Sequence, residues 1–290
     1  MLQTKVVDRF IKLNRRRADY RVFGPIANIL REGASRIKPF SEPILIYTAE
    51  KVGTQTILST LKSVSIRQRV YMTHTVVGSN SSQATRSMKL DLEKLRNEIY
   101  PNRMRVITSI REPIGRDVSL FFELLPSLDL DRRQVSSIEG LTEAFLAFVG
   151  NQLCKSYLTI GEWFNDEFYP AIGVDVNIEV QAPGPGVRII EGDDTTVYLL
   201  RLEDFGGELA PLLAKLTGLD RMEISDFNRA SQKEADTLRS HYLFYSEFVQ
   251  RAQLPEDYIE KVLSEKLILK MYTSSEIAKL RGLWLRKAML

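Results

Sequence analysis

The stretch PILIYTAEKVGTQTILSTLK, Pro43 to Lys62, decides the fold. Its apolar run ILIYT, residues 44–48, has the length and composition of a buried strand. A short polar turn follows, then a helical pattern from about Thr54 to Ser63. Strand, tight turn and helix in that order open an α/β unit. The turn also carries chemistry. A helix N-terminus leaves backbone N–H groups without partners and points the positive end of its dipole outward, which suits an anion. Gly53 lets the backbone approach a ligand closely. Lys51 adds a mobile positive charge, and Thr54 and Thr56 add hydroxyl donors. The triphosphate motif G-x-x-x-x-G-K-[ST] is absent, because the loop has one Gly and its Lys precedes it. The anion expected here is therefore a phosphate or a sulfate.

Outward from this loop, strands alternate with helices. RVYMTHTV (69–76), MRVITSI (104–110) and TTVYLLRL (195–202) read as further strands. Helical patterns cover 88–99, 114–125 and about 206–217, and the chain is mostly helical from Asn228 onward. SNSSQATRS (79–87) is a polar loop, and 180–194 is a turn-rich hairpin or excursion. This order predicts an α/β domain of three layers, with a central parallel sheet flanked by helices. Residues 43–290 are expected to form that domain, behind a basic helical extension over 1–42.

Composition narrows the function classes. At 290 residues and 44% hydrophobic content, the chain can bury a sizeable core. No run of eighteen apolar residues occurs, and no secretory leader is legible, so a cytoplasmic protein is expected. Cys154 is the sole cysteine, which excludes an intrachain disulfide. With only His74 and His241, no histidine-rich metal site is expected. Residues 1–40 carry ten Lys and Arg against three acids, while the rest of the chain is mildly acidic. The basic segment reads as a helix on the outside of the domain, or as peripheral contact with an anionic membrane surface. A nucleic-acid partner is not expected.

A second element complements the first loop. VITSIREPIGRDVSLFF places Arg111 at a strand end and Ser119 eight residues later. Pro113 suits the first turn of a helix, where its missing N–H costs nothing. Arg111 could then share an anion with Ser119, because its planar fork matches phosphate. Arg116 is an alternative donor. Trp163, Phe164 and Phe168 read as core, or as the lining of a substrate pocket, and Glu203 and Asp204 as caps of the following helix.

Together, TAEKVGTQT and SIREPIGRDVSLFF resemble the two nucleotide signatures of sulfotransferases that use 3′-phosphoadenosine 5′-phosphosulfate. The resemblance is closest to bacterial capsular-polysaccharide-synthesis proteins with a sulfotransferase-like fold. YTAEKVGT, REPIGR, EWFNDEF (162–168), LLRLEDF (199–205) and FNRASQKEADTLRSHYLFY (227–245) match that branch in order. The chain departs from it at Gln55, where many relatives have Ser or Thr. It departs again at Leu202, where Tyr often lies near the adenine.

The resemblance implies that Lys51, Val52, Gly53, Thr54, Gln55 and Thr56 grip the 5′-phosphosulfate. It implies that Arg111 and Ser119 hold the 3′-phosphate. Lys51 would stabilise charge on the leaving oxygen. His74, at the end of the second strand, matches the position of the general base in many sulfotransferases. The implied reaction is transfer of a sulfuryl group to a hydroxyl of a glycan or small metabolite, with no metal required. Two alternatives stand beside it: a P-loop kinase, and a non-catalytic nucleotide-binding or membrane-associated protein of polysaccharide synthesis.

Overall fold

The computed structural model describes residues 42–66, 68–76, 104–130, 135–150, 157–179, 184–225 and 239–285. The basic segment 1–40, the loop 79–87, the helix expected over 88–99 and Cys154 lie outside the described residues.

Strand β1 (Ile44–Tyr47) leads through the loop into helix α1 (Thr54–Lys62). Strands β2 (Val70–Thr73) and β3 (Met104–Ile110) follow, and β3 runs into helix α2 (Pro113–Leu124). Helix α3 (Ile138–Val149) precedes a helical stretch in three parts. These are α4 (Ile160–Trp163), a π turn (Phe164–Phe168) and α5 (Tyr169–Ile172). A short helix, α6 (Val176–Glu179), leads to β4 (Arg188–Glu191) and β5 (Thr195–Arg201). Helices α7 (Phe205–Thr217), α8 (Arg239–Arg251), α9 (Glu256–Leu263), α10 (Lys266–Met271) and α11 (Ser274–Leu285) complete the described chain.

The protein is an α/β domain with a mostly parallel five-stranded sheet of order β2-β1-β3-β5-β4. β1 pairs in parallel with β2 (Ile44 opposite Val70) and with β3 (Ile44 opposite Arg105). β3 pairs in parallel with β5 from Met104–Thr195 to Ile110–Arg201. At one edge β4 is antiparallel to β5, where the sequence reads as a hairpin or excursion. The reason is chain length. Only Gly192 to Asp194 separate the two strands, enough for a hairpin and far too few for a parallel crossover. Gly192 N–H closes that turn on Thr195 O at 2.7 Å.

Side chains alternate across the strands, so the sheet divides the core in two. Ile44, Ile46, Ile107 and Leu200 face α1 and α7. Leu45, Tyr47, Val106 and Leu199 face the larger cluster built on α2, α3 and the C-terminal helices. Phe121, Phe145, Phe148 and Phe248 meet edge-on or tilted at its centre, with centroids 5.7–6.5 Å apart. Each such ring contributes roughly 1.5–3 kcal/mol by leaving water. Trp163, Phe164 and Phe168 are buried in this cluster, as expected of core residues.

Candidate functional site at the carboxyl edge of the sheet

In parallel sheets the loops after the strand ends are where ligands bind. Lys51 follows β1, His74 follows β2 and Arg111 follows β3, so these neighbouring strands bring all three to one edge.

The first loop is braced from several sides. Thr48 Oγ1 and Thr54 Oγ1 share a hydrogen bond of 2.6 Å across its base. Ser109 Oγ of β3 donates to Val52 O at 2.8 Å. Arg116 Nε of α2 donates to Glu50 O at 3.3 Å. Gly53, the residue before α1, has φ of 92°, and Lys51 has φ of 67°. A Cβ at Gly53 would lie 2.5 Å from Phe205 Cε2 and 2.6 Å from Leu202 Cδ1. Glycine is therefore demanded here twice, by conformation and by space.

The amides divide. Thr56 N–H and Ile57 N–H both turn back to Gly53 O, at 3.0 and 3.2 Å. Thr56 N–H is thus committed to the helix, against the expectation that it joins an anion cradle. The N–H groups of Gly53, Thr54 and Gln55 have no acceptor among the described residues. Lys51 Nζ forms an ion pair with Glu123 of α2.

Glu123 lies four residues beyond Ser119, on the same face of α2. Arg111 Nη1 donates to Ser119 Oγ at 2.8 Å, and Ser119 Oγ also meets Tyr245 OH at 3.3 Å. The expected Arg111–Ser119 pair is therefore in direct contact. Lys51 and Arg111, from two different strand ends, are tied to successive turns of one helix.

Arg116 has another role. It is 3% exposed, pairs with Asp117 at 3.0 Å and donates to Leu158 O at 2.7 Å. Its guanidinium is consumed inside the fold, which rules it out as the alternative anion donor. Glu203 and Asp204 are structural, but neither caps α7, whose start has no side-chain cap. Glu203 Oε1 accepts from Glu112 N–H at 2.7 Å, and Glu203 Oε2 from Tyr272 OH at 3.1 Å. Asp204 takes both arms of a fork from Arg201, at 2.7 and 2.8 Å. The end of β5 thus buttresses the backbone beside Arg111.

Glu112 caps α2, accepting from Ile114 N–H at 3.0 Å and Gly115 N–H at 2.6 Å. Burial pushes its carboxyl up to about 7, against the pull of those amides and of Arg111. The folded state thus holds this proton more tightly than the unfolded chain does. Stability is expected to fall as pH rises from about 4.5 to about 7, by at most about 3 kcal/mol from this group. Glu112→Gln should remove that part of the slope in denaturant unfolding followed across the same pH window.

His74 is half-buried. Its Nδ1 lies 2.8 Å from Thr48 O. A carbonyl only accepts, so Nδ1 carries the hydrogen, and in the neutral ring Nε2 keeps the lone pair. His74 is in this way hung on the first residue of the loop after β1. Trp163 Nε1 donates to His74 O at 3.0 Å. Sequence reasoning placed Trp163 in the core and missed this bond, for which the sequence carries no signal.

Comparison of the chain with family models, with curated proteins and with solved structures found no match. Among the described residues, no three His, Cys, Asp or Glu side chains are grouped to hold a metal ion. Also among them, no helix is long and apolar enough to cross a membrane.

Proposed function

We propose that the protein transfers a sulfuryl group from 3′-phosphoadenosine 5′-phosphosulfate to a hydroxyl of a glycan or small metabolite. The observation that carries this reading is the convergence of three groups on one sheet edge. They are a lysine-bearing loop with open amides, an Arg–Ser pair one strand away, and a histidine with its Nε2 lone pair available. The family resemblance of the two loops supports it, and Gly53 fits it, since its bare Cα lets a phosphate come close to the backbone.

The nucleotide supplies the sulfuryl group already activated as a mixed anhydride. The N–H groups of Gly53, Thr54 and Gln55 would hold the 5′-phosphate at the positive end of α1. Arg111 and Ser119 would exchange their mutual bond for the 3′-phosphate. Lys51 would leave Glu123 and stabilise the charge developing on the bridging oxygen. His74 Nε2 would take the proton of the acceptor hydroxyl as its oxygen bonds to sulfur and the sulfur–bridging oxygen bond breaks. The products are the sulfate ester and the nucleoside bisphosphate, with the proton on His74.

Calorimetric titration with 3′-phosphoadenosine 5′-phosphate tests the reading. Saturable binding is expected, weakened about 10- to 100-fold in Lys51→Ala and in Arg111→Ala, since each loses a charged hydrogen bond. Absence of binding, or binding by both variants as tight as the wild type's, would overturn it. Binding of ATP only with Mg²⁺ would favour a kinase. Nucleotide binding without turnover on any acceptor would favour a binding protein.

A further inference from the structure

We propose that Trp163 and Glu167 are positioning residues that hold His74 in its working tautomer and orientation. This rests on the sulfuryl-transfer reading for its purpose, though not for its geometry. The widened π turn over Phe164–Phe168 follows directly on Trp163 and contains Glu167. Trp163 Nε1 holds the His74 carbonyl at 3.0 Å. Glu167 Oε1 accepts from Thr75 Oγ1 at 2.8 Å, and Glu167 Oε2 accepts from Val76 N–H at 3.1 Å. Trp163 and the turn therefore grip the three residues that follow β2 by a carbonyl, a hydroxyl and an amide.

Tyr47, the last residue of β1, completes the clamp. Its hydroxyl reaches the backbone oxygen and the carboxylate of Glu167, at 3.2 and 3.3 Å. Its ring packs edge-on against Trp163 at 5.2 Å and stacks on Phe168 at 5.6 Å. Packing alone does not account for Glu167. It is 5% exposed, and a carboxylate in that place costs more to bury than a leucine unless its oxygens are used. They are used here on the backbone and hydroxyl next to His74. With the main chain fixed by the turn and Nδ1 fixed by Thr48 O, the ring presents Nε2 in one direction. Helical π turns recur at functional sites for this kind of placement.

The test needs no nucleotide. Histidine ¹⁵N NMR of the full chain shows two side chains, His74 and His241, distinguished with His74→Asn. With its ring neutral, wild-type His74 is expected in a single Nδ1–H tautomer. Trp163→Phe keeps an aromatic ring but deletes the donor, and Glu167→Ala deletes both acceptors. Each is expected to lose the single-tautomer signature, with the His241 signals unmoved. Glu167→Gln keeps one acceptor oxygen and is expected to restore the signature in part.

A wild-type His74 without the Nδ1–H tautomer would overturn the proposal. So would an unchanged signature in Trp163→Phe, which decides the matter even if Glu167→Ala does not fold. Calorimetry separates this inference from the activity. Trp163→Phe should bind 3′-phosphoadenosine 5′-phosphate as the wild type does. A wild type that does not bind that nucleotide sinks the sulfuryl reading and leaves the tautomer result standing.

Discussion

Gly53→Ala is expected to abolish the proposed nucleotide binding and to destabilise the fold by about 2–5 kcal/mol. Two costs add. An L-residue forced to a φ of 92° gives up roughly 1–2 kcal/mol. The new methyl meets Phe205 at 2.5 Å and Leu202 at 2.6 Å, and relieving such overpacking costs typically about 1–3 kcal/mol. Relief by moving the loop would re-aim the amides of Thr54 and Gln55, so binding suffers whichever way the clash resolves. Urea unfolding reports the first effect and calorimetry the second. Wild-type stability together with wild-type affinity would refute the tight approach of the loop to α7.

Asp117→Ala is expected to be as severe for a different reason. Asp117 is the carboxylate beside Arg116, with both side chains nearly inaccessible. Tyr258 OH donates to its other oxygen at 2.9 Å, and Arg116 lies 5.8 Å from the centre of the Tyr157 ring. Removing Asp117 leaves a buried guanidinium without its paired carboxylate, at a cost of about 3–5 kcal/mol. The double variant Arg116→Met with Asp117→Ala should recover much of the loss, because no bare charge remains. Comparing the single and double variants by urea unfolding checks this. A double variant no more stable than Asp117→Ala would show that the carbonyl contacts of Arg116 matter more than its charge.

The sequence carried the frame of the fold well, for identifiable reasons. MRVITSI and TTVYLLR are long apolar runs bounded by polar turns, and they are two of the three inner strands, β3 and β5. Pro113 marked the first turn of α2, within a residue of the helical pattern read from 114. The spacing of Arg111 and Ser119 was legible because both lie close to one helix start, where short-range geometry is nearly fixed. Long-range contacts were not legible. Arg116 reads as an alternative anion donor beside Arg111, yet the turn of α2 carries it inward to Asp117 and to backbone carbonyls. Glu123, Glu167 and Glu203 sit in unremarkable sequence. Their partners Lys51, Val76 and Glu112 lie many residues away, and no periodicity encodes such pairings. The π turn is equally silent, since EWFNDEF satisfies an ordinary helical pattern.

The place of β3 in the sheet bears on how the chain is made. β3 lies between β1 and β5, and β5 begins only at Thr195. During synthesis the apolar strand Met104–Ile110 therefore leaves the ribosome with one edge paired and the other waiting for a segment far downstream. Parallel pairings of this kind form slowly, because a long loop must close before any contact rewards it. In that interval the open edge of β3 is a template for a second nascent chain. Association between neighbouring chains on the same messenger is thus a hazard set by topology.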